Sequence, residues 1–167
     1  MPTRVLVISD THIVDDLAQI PETIREQAKE SDCCIHAGDF VSLAALQEFQ
    51  KWTKIYGVCG NMDSDEIREK LPYKQIISLE NIQLALTHGR GHPDNLINHI
   101  NNEFSDEIER IDIFVFGHSH LPVNKIIRNK IYFNPGSLTD TVSSPCRSYG
   151  ILEISGREIK RKVIEIE

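Results

Sequence analysis

Short apolar runs, each broken by a small cluster of polar residues, set the rhythm of this chain. Val5-Leu6-Val7-Ile8 is continuously apolar, as a strand covered on both faces must be. Leu17 to Glu30 follows with helical spacing, and Pro21 falls near the first turn. Cys33-Cys34-Ile35 reads as a second buried strand. Ser42 opens a helix to about Lys54, with Leu43, Leu46, Phe49 and Gln50 along one face. Ile55-Tyr56-Gly57-Val58-Cys59 is a third strand. A β-α-β-α-β order calls for parallel strands joined by helical crossovers.

The second half changes character. Gln75–Leu79 and Ile82–Thr87 flank Glu80-Asn81, the pattern of a hairpin. A helix over Asp94 to about Phe104 and a buried strand over Asp112–Phe116 follow. Val123–Ile127 with Ile131–Asn134, and Ser148–Ile154 with Glu158–Ile166, read as two more hairpins. Lys160, Arg161 and Lys162 suit the solvated face of an edge strand. Parallel units followed by hairpins predict two packed sheets with helices outside, in one domain of 167 residues.

Composition narrows the class. An apolar fraction of 40% supports a sizeable core, and a net charge of -7 argues against a stable nucleic-acid complex, which needs a basic face. It leaves a nucleotide-like small substrate open, because bound metal reverses the local sign. No run approaches the length of a membrane span, and the first residues lead straight into a strand, so a cytoplasmic protein without a signal peptide is expected. Cys33, Cys34, Cys59 and Cys146 lack zinc-site spacing and read as reduced residues, packed where their surroundings are apolar.

The chemistry collects where the strands end. Asp10 and His12 follow the first strand, Asp39 the second and Asn61 the third. His88 follows a hairpin arm, and His118 and His120 follow the Asp112–Phe116 strand. Ligands of open α/β sheets bind beyond the carboxyl ends of strands, so one end of the molecule would present all seven side chains. Oxygen and imidazole donors without thiolate favour Mn²⁺, Fe²⁺, Co²⁺, Ni²⁺ or Zn²⁺, and seven donors suffice for two ions sharing one ligand.

Taken in order, DxH at Asp10–His12, GD at Gly38–Asp39, GN at Gly60–Asn61, His88, and GHxH at Gly117–His120 resemble the calcineurin-like metallophosphoesterases. The short length and Asn134-Pro135-Gly136-Ser137 resemble their small prokaryotic YfcE-like phosphodiesterase branch. The resemblance implies an α/β fold, a four-layer α/β/β/α sandwich of two mixed sheets. It implies two divalent ions, with Mn²⁺ the first expectation. Asp10, His12 and His120 would hold one, Asn61, His88 and His118 the other, and Asp39 would bridge them. A hydroxide shared by the ions would attack a small phosphodiester or nucleotide-like substrate in line with the leaving oxygen. Relatives of this kind often form homodimers.

One position departs from the pattern. Many relatives carry a leaving-group histidine after the GN asparagine; here Met62 follows Asn61 and cannot donate a proton. His92 is the favoured substitute and Asp63 a second one, so Asp39, Asn61 and His92 are the expected catalytic residues. His36 reads as a packed residue or one behind a ligand, and His99 as an ordinary helix residue. Arg90 reads equally as a phosphate contact or a surface arginine. Two alternatives to a phosphodiesterase stand: a phosphomonoesterase with the same site, and a protein-binding scaffold like the retromer subunit of this fold. That subunit has an eroded site, whereas every ligand position here holds a competent residue.

Overall fold

A computed structural model describes residues 1–167. The first parallel unit is β1 (Thr3–Ile8), α1 (Glu22–Glu30), β2 (Cys33–His36), α2 (Leu43–Gln50) and β3 (Ile55–Gly57). It is followed by α3 (Asp65–Lys70), the hairpin β4 (Lys74–Leu79) and β5 (Ile82–Thr87), α4 (Leu96–Glu103) and β6 (Ile113–Val115). The chain ends in β7 (Val123–Ile127), β8 (Lys130–Asn134), β9 (Arg147–Ser155) and β10 (Glu158–Ile166).

The strands form two five-stranded mixed sheets, ordered β10-β9-β1-β2-β3 and β4-β5-β6-β8-β7. β1, β2 and β3 are parallel, as are β5, β6 and β8, while the hairpin partners run antiparallel. The continuous apolar run of β1 splits by period two. Val5 and Val7 face the second sheet, meeting a core that includes Leu84, Leu86, Ile113, Val115 and Phe133. Leu6 and Ile8 face Ile24 and Ala28 of α1 and Leu46 and Phe49 of α2. On the far side, Leu96, Ile100 and Phe104 cover Ala85, Phe114 and Tyr132. These three apolar seams make the four-layer α/β/β/α sandwich.

Pro21 divides the expected first helix. Leu17–Gln19 is a 3-10 turn, Ile20 is extended, and α1 begins only at Glu22. Proline lacks an N–H and pushes the residue before it out of the helical region. The second helix starts where expected, with Ser42 accepting the Ala45 N–H, but stops at Gln50. α3 has no counterpart among the expected elements. It has one buried apolar residue, Ile67, so it shows no periodicity; its start is marked by the Ser64 cap and by Asp65 and Glu66 in the first turn. The helix expected from Asp94 is a 3-10 turn, Pro93–Asn95, leading into α4.

β10 is an edge strand, as its pattern suggested, with Lys160 and Lys162 exposed. All four cysteines are free thiols, and Cys33, Cys34 and Cys59 are buried. Burial pushes the Cys33 thiol up to about 11. No helix is long and apolar enough to cross a membrane.

Candidate metal centre

Beyond Ile8 and His36, where the strands end, the segments after β1 and β2 stay side by side. Asp10 N–H donates to Gly38 O and His12 N–H to Asp39 O, each at 3.0 Å. In the second sheet Gly117 N–H donates to His88 O at 3.1 Å, tying the loops after β5 and β6. The loop after β8 crosses between them: Ser137 Oγ donates to Asp10 O and Thr139 Oγ1 to Thr11 O, both at 2.8 Å. Asn134 Nδ2 donates to Gly117 O.

This lacing forces unusual backbone. Nine residues other than glycine have positive φ, and five of them are Asp10, His12, Asp39, His118 and His120. Three of the rest, Glu80, Arg128 and Asn129, are hairpin turns. Non-turn left-handed backbone is therefore concentrated where the metal-liking side chains sit, the usual location of tolerated strain. Tight approach adds to it: a Cβ at Gly60 would overlap the Asp39 carboxylate.

The side chains converge. Asp39 Oδ2 lies 3.3 Å from His12 Nε2 and 3.3 Å from His88 Nε2. Asp10 Oδ1 lies 3.4 Å from His120 Nε2, 3.7 Å from His12 Nε2 and 3.8 Å from His88 Nε2. Asn61 Oδ1 is 3.0 Å from His88 Nε2. Two donor groups result, Asp10–His12–His120 and Asp10–Asp39–His88, with the atoms of each within 4.8 Å of one another. Asp10 thus touches both histidine groups rather than one. His118 stands outside both groups; its ring meets His88 edge-on at 5.3 Å, and its Nε2 donates to Gly91 O at 3.0 Å, leaving Nδ1 as the free nitrogen.

Charge and hydrogen bonding show that this set is suited to cations. Burial pushes Asp10 and Asp39 up, but His12 with His120, and His12 with His88, outweigh it and hold both carboxyls below the usual range. Asp10 and then Asp39 push His12 up to about 10. Burial pulls His88 down, but Asp39 and Asp10 raise it overall; Asp10 chiefly raises His120. Two buried anions are therefore kept ionised and demand positive charge beside them. Asp10 Oδ1 and His12 Nε2 are buried atoms with no hydrogen-bond partner, a pairing that buried polar atoms rarely lack. A divalent cation between them would satisfy both.

The outward nitrogens are held from behind. His88 Nδ1 meets Ala37 O at 2.7 Å and His120 Nδ1 meets Asp140 Oδ2 at 2.5 Å, so each ring turns Nε2 inward. Asp140 escaped the sequence reading; it belongs to no spacing motif and follows the Asn134–Ser137 turn. Asp63 escaped in a different way. Its carboxylate accepts the N–H groups of Asp39, Gly60 and Val41 at 3.0, 2.7 and 2.7 Å. With both oxygens bound and the residue buried, it braces the loops.

Met62 contributes its backbone: its N–H donates to Asp39 Oδ1 at 2.8 Å, while its side chain is exposed. His92 is exposed on the loop after His88, and its Nδ1 accepts the Asp94 N–H at 3.2 Å. None of its hydrogen bonds or ion pairs reaches the cluster. His36 is packed: it is wholly buried and stacked on Phe40 at 3.4 Å, its Nδ1 accepts the Gly38 N–H, and its Nε2 pairs with Thr11 Oγ1. His99 lies under the same loop as His92, against Gly91.

Comparison with known proteins places this geometry in a family. The profile of the calcineurin-like phosphoesterase superfamily domain matches residues 3–157. A probable metallophosphoesterase of Methanothermobacter thermautotrophicus is 29% identical over 162 residues, covering 95% of this chain and 90% of that protein. Phosphodiesterase YfcE of Escherichia coli is 34% identical over 107 residues, 60% of this chain and 53% of its own. Among solved structures, Thermotoga maritima TM1076 superposes with a TM-score of 0.76 at 32% identity, covering 98% of this chain and 99% of its own. Vps29 of Entamoeba histolytica, solved with zinc, has a TM-score of 0.74 at 21% identity over 97% of this chain and 98% of its own, a likeness of fold alone. The chain belongs to the calcineurin-like phosphoesterase superfamily, in its YfcE-like branch.

Proposed function

We propose that the protein is a metal-dependent phosphodiesterase with a dinuclear site. The observation that carries this reading is the position of Asp39 Oδ2, 3.3 Å from a histidine of each donor group. Asp10, His12 and His120 would hold one divalent ion; Asn61, His88 and His118, through Nδ1, would hold the other; Asp39 would serve both. Bound ions would neutralise charge at the phosphate and lower the pKa of an attacking water. Mn²⁺ is the first choice among ions that suit oxygen and imidazole donors.

The protein's own groups do the remaining work. Ala37 O and Asp140 fix the tautomers of His88 and His120, so the basic nitrogens face inward before any ligand arrives. The Met62 N–H occupies Asp39 Oδ1 and leaves Oδ2 directed at the histidines. His92 is the proposed leaving-group donor. Because its Nδ1 accepts a backbone N–H, its neutral ring carries the proton on Nε2, free to donate.

The test is a matrix of metals and substrates on chelated protein. Mn²⁺ should restore hydrolysis of bis-p-nitrophenyl phosphate well above that of p-nitrophenyl phosphate. No turnover with Mn²⁺, Fe²⁺, Co²⁺, Ni²⁺ or Zn²⁺ would overturn the reading.

A further inference from the structure

The turn Asn134-Pro135-Gly136-Ser137 supplies no metal-liking donor of the cluster, yet it grips the donor loops of both sheets. Asn134 closes β8 and is wholly buried. Its Nδ2 donates to Gly117 O at 3.0 Å and to Ser119 Oγ at 3.1 Å, which fixes the loop carrying His118 and His120. Its Oδ1 accepts the Gly136 N–H at 2.9 Å. Gly136 has φ +79°, and a Cβ there would overlap Ser148 Oγ, so the chain turns at this point on a glycine.

Ser137 then reaches the first sheet. It is wholly buried, and its hydroxyl donates to Asp10 O at 2.8 Å. The same oxygen accepts the Asp140 N–H at 3.0 Å and the Thr139 N–H at 3.3 Å. A hydroxyl has one donor and two acceptor sites, and all three are used.

The two ends of this joint belong to one donor group. Asp10 has left-handed backbone, φ 52°, whose carbonyl the Ser137 hydroxyl holds. Asp140 meets His120 Nδ1, and His120 Nε2 lies 3.4 Å from Asp10 Oδ1. A carboxylate from the end of β1 and an imidazole from beyond β6 are thus joined through the chain Asp10–Ser137–Asp140–His120. No hydrogen bond of Ser137 reaches Asp39, Asn61, His88 or His118.

We propose that Ser137 is a positioning residue for one ion alone, the one assigned to Asp10, His12 and His120. It sets the separation of Asp10 and His120 before that ion arrives and leaves the Asn61–His88–His118 ion to other supports. The inference rests on the dinuclear reading and divides its two ions by what holds them.

Mn²⁺ titrated into chelated protein against a chromophoric chelator should give two dissociation constants in wild type. His120→Ala identifies the constant of the ion that His120 serves. Ser137→Ala should weaken that same ion about tenfold and leave the other constant unchanged. Ser148→Ala is the structural control: it deletes a buried hydrogen bond of the same turn, from Ser148 Oγ to Pro135 O at 2.6 Å. It should lower Tm about as much as Ser137→Ala while leaving both constants unchanged. Should Ser137→Ala not fold, Ser137→Cys, with its weaker donor and acceptor, should show the same one-sided loss at smaller size. Equal weakening of both ions, no weakening in a folded Ser137→Ala, or the same loss in Ser148→Ala overturns the proposal. A wild type that holds fewer than two ions overturns the dinuclear reading instead, and this proposal with it.

Discussion

Asp140 stands directly behind His120, with its Oδ2 2.5 Å from the ring Nδ1. The carboxylate is itself held by the N–H groups of Val142 and Ser143 at 2.8 and 3.0 Å and by the Ser143 hydroxyl. Burial pushes Asp140 up, but His120 and Ser143 hold it well below the usual carboxylate range, so it stays an acceptor. A carboxylate in this position fixes the tautomer and makes Nε2 a better ligand. Asp140→Ala should therefore weaken metal binding by about 10- to 100-fold, read by competition with a chromophoric chelator. Asp140→Asn, which keeps an acceptor oxygen, should lose less. Unchanged affinity in Asp140→Ala would remove Asp140 from the site.

The missing histidine at Met62 should show in leaving-group dependence. Without a donor at that position, activated aryl diesters should turn over about 100-fold or more faster than alkyl diesters. Met62 is 55% exposed, so Met62→His should fold and should narrow the gap by accelerating alkyl substrates. His92→Gln should widen it, because it removes the proposed donor. Equal rates on aryl and alkyl diesters in wild type would contradict this account of the site.

His36 makes stability depend on pH in the metal-free protein. Burial pulls its pKa down to about 3 from an ordinary 6.5. Between those values the unfolded chain binds a proton that the folded one refuses. Its contribution is thus fully present above pH 6.5 and falls by about 1.4 kcal/mol per unit as pH drops towards 3. His36→Phe, which keeps the stack on Phe40, should lower stability at pH 7 but flatten that slope. Urea titrations at pH 7, 6 and 5 read it; parallel slopes for the two proteins would contradict the assignment.

The sandwich could be read from the chain because β1, β2 and β6 are apolar on both faces, and only a sheet between two layers accepts such strands. The array of donors could be read because each follows such a strand. What could not be read depends on distance in space. Asp140 and His120 are 20 residues apart and in no common motif. Asp63 looks like a spare titratable group until its three backbone donors are seen. α3 is six residues long with one apolar anchor, too short for periodicity to mark, and Pro21 outweighs the apolar spacing on either side of it. His118 shows that residue type alone does not settle which ring nitrogen is available.

The central claim is that Asp39 serves two ions at once, and metal stoichiometry tests it most directly. Chelated protein dialysed against Mn²⁺ and analysed for bound metal should hold two ions per chain. Asp39→Asn should hold fewer and should lose Mn²⁺-dependent hydrolysis of bis-p-nitrophenyl phosphate. A wild-type protein that binds a single ion yet hydrolyses the diester, or an Asp39→Asn protein that keeps two ions and full turnover, would contradict the account.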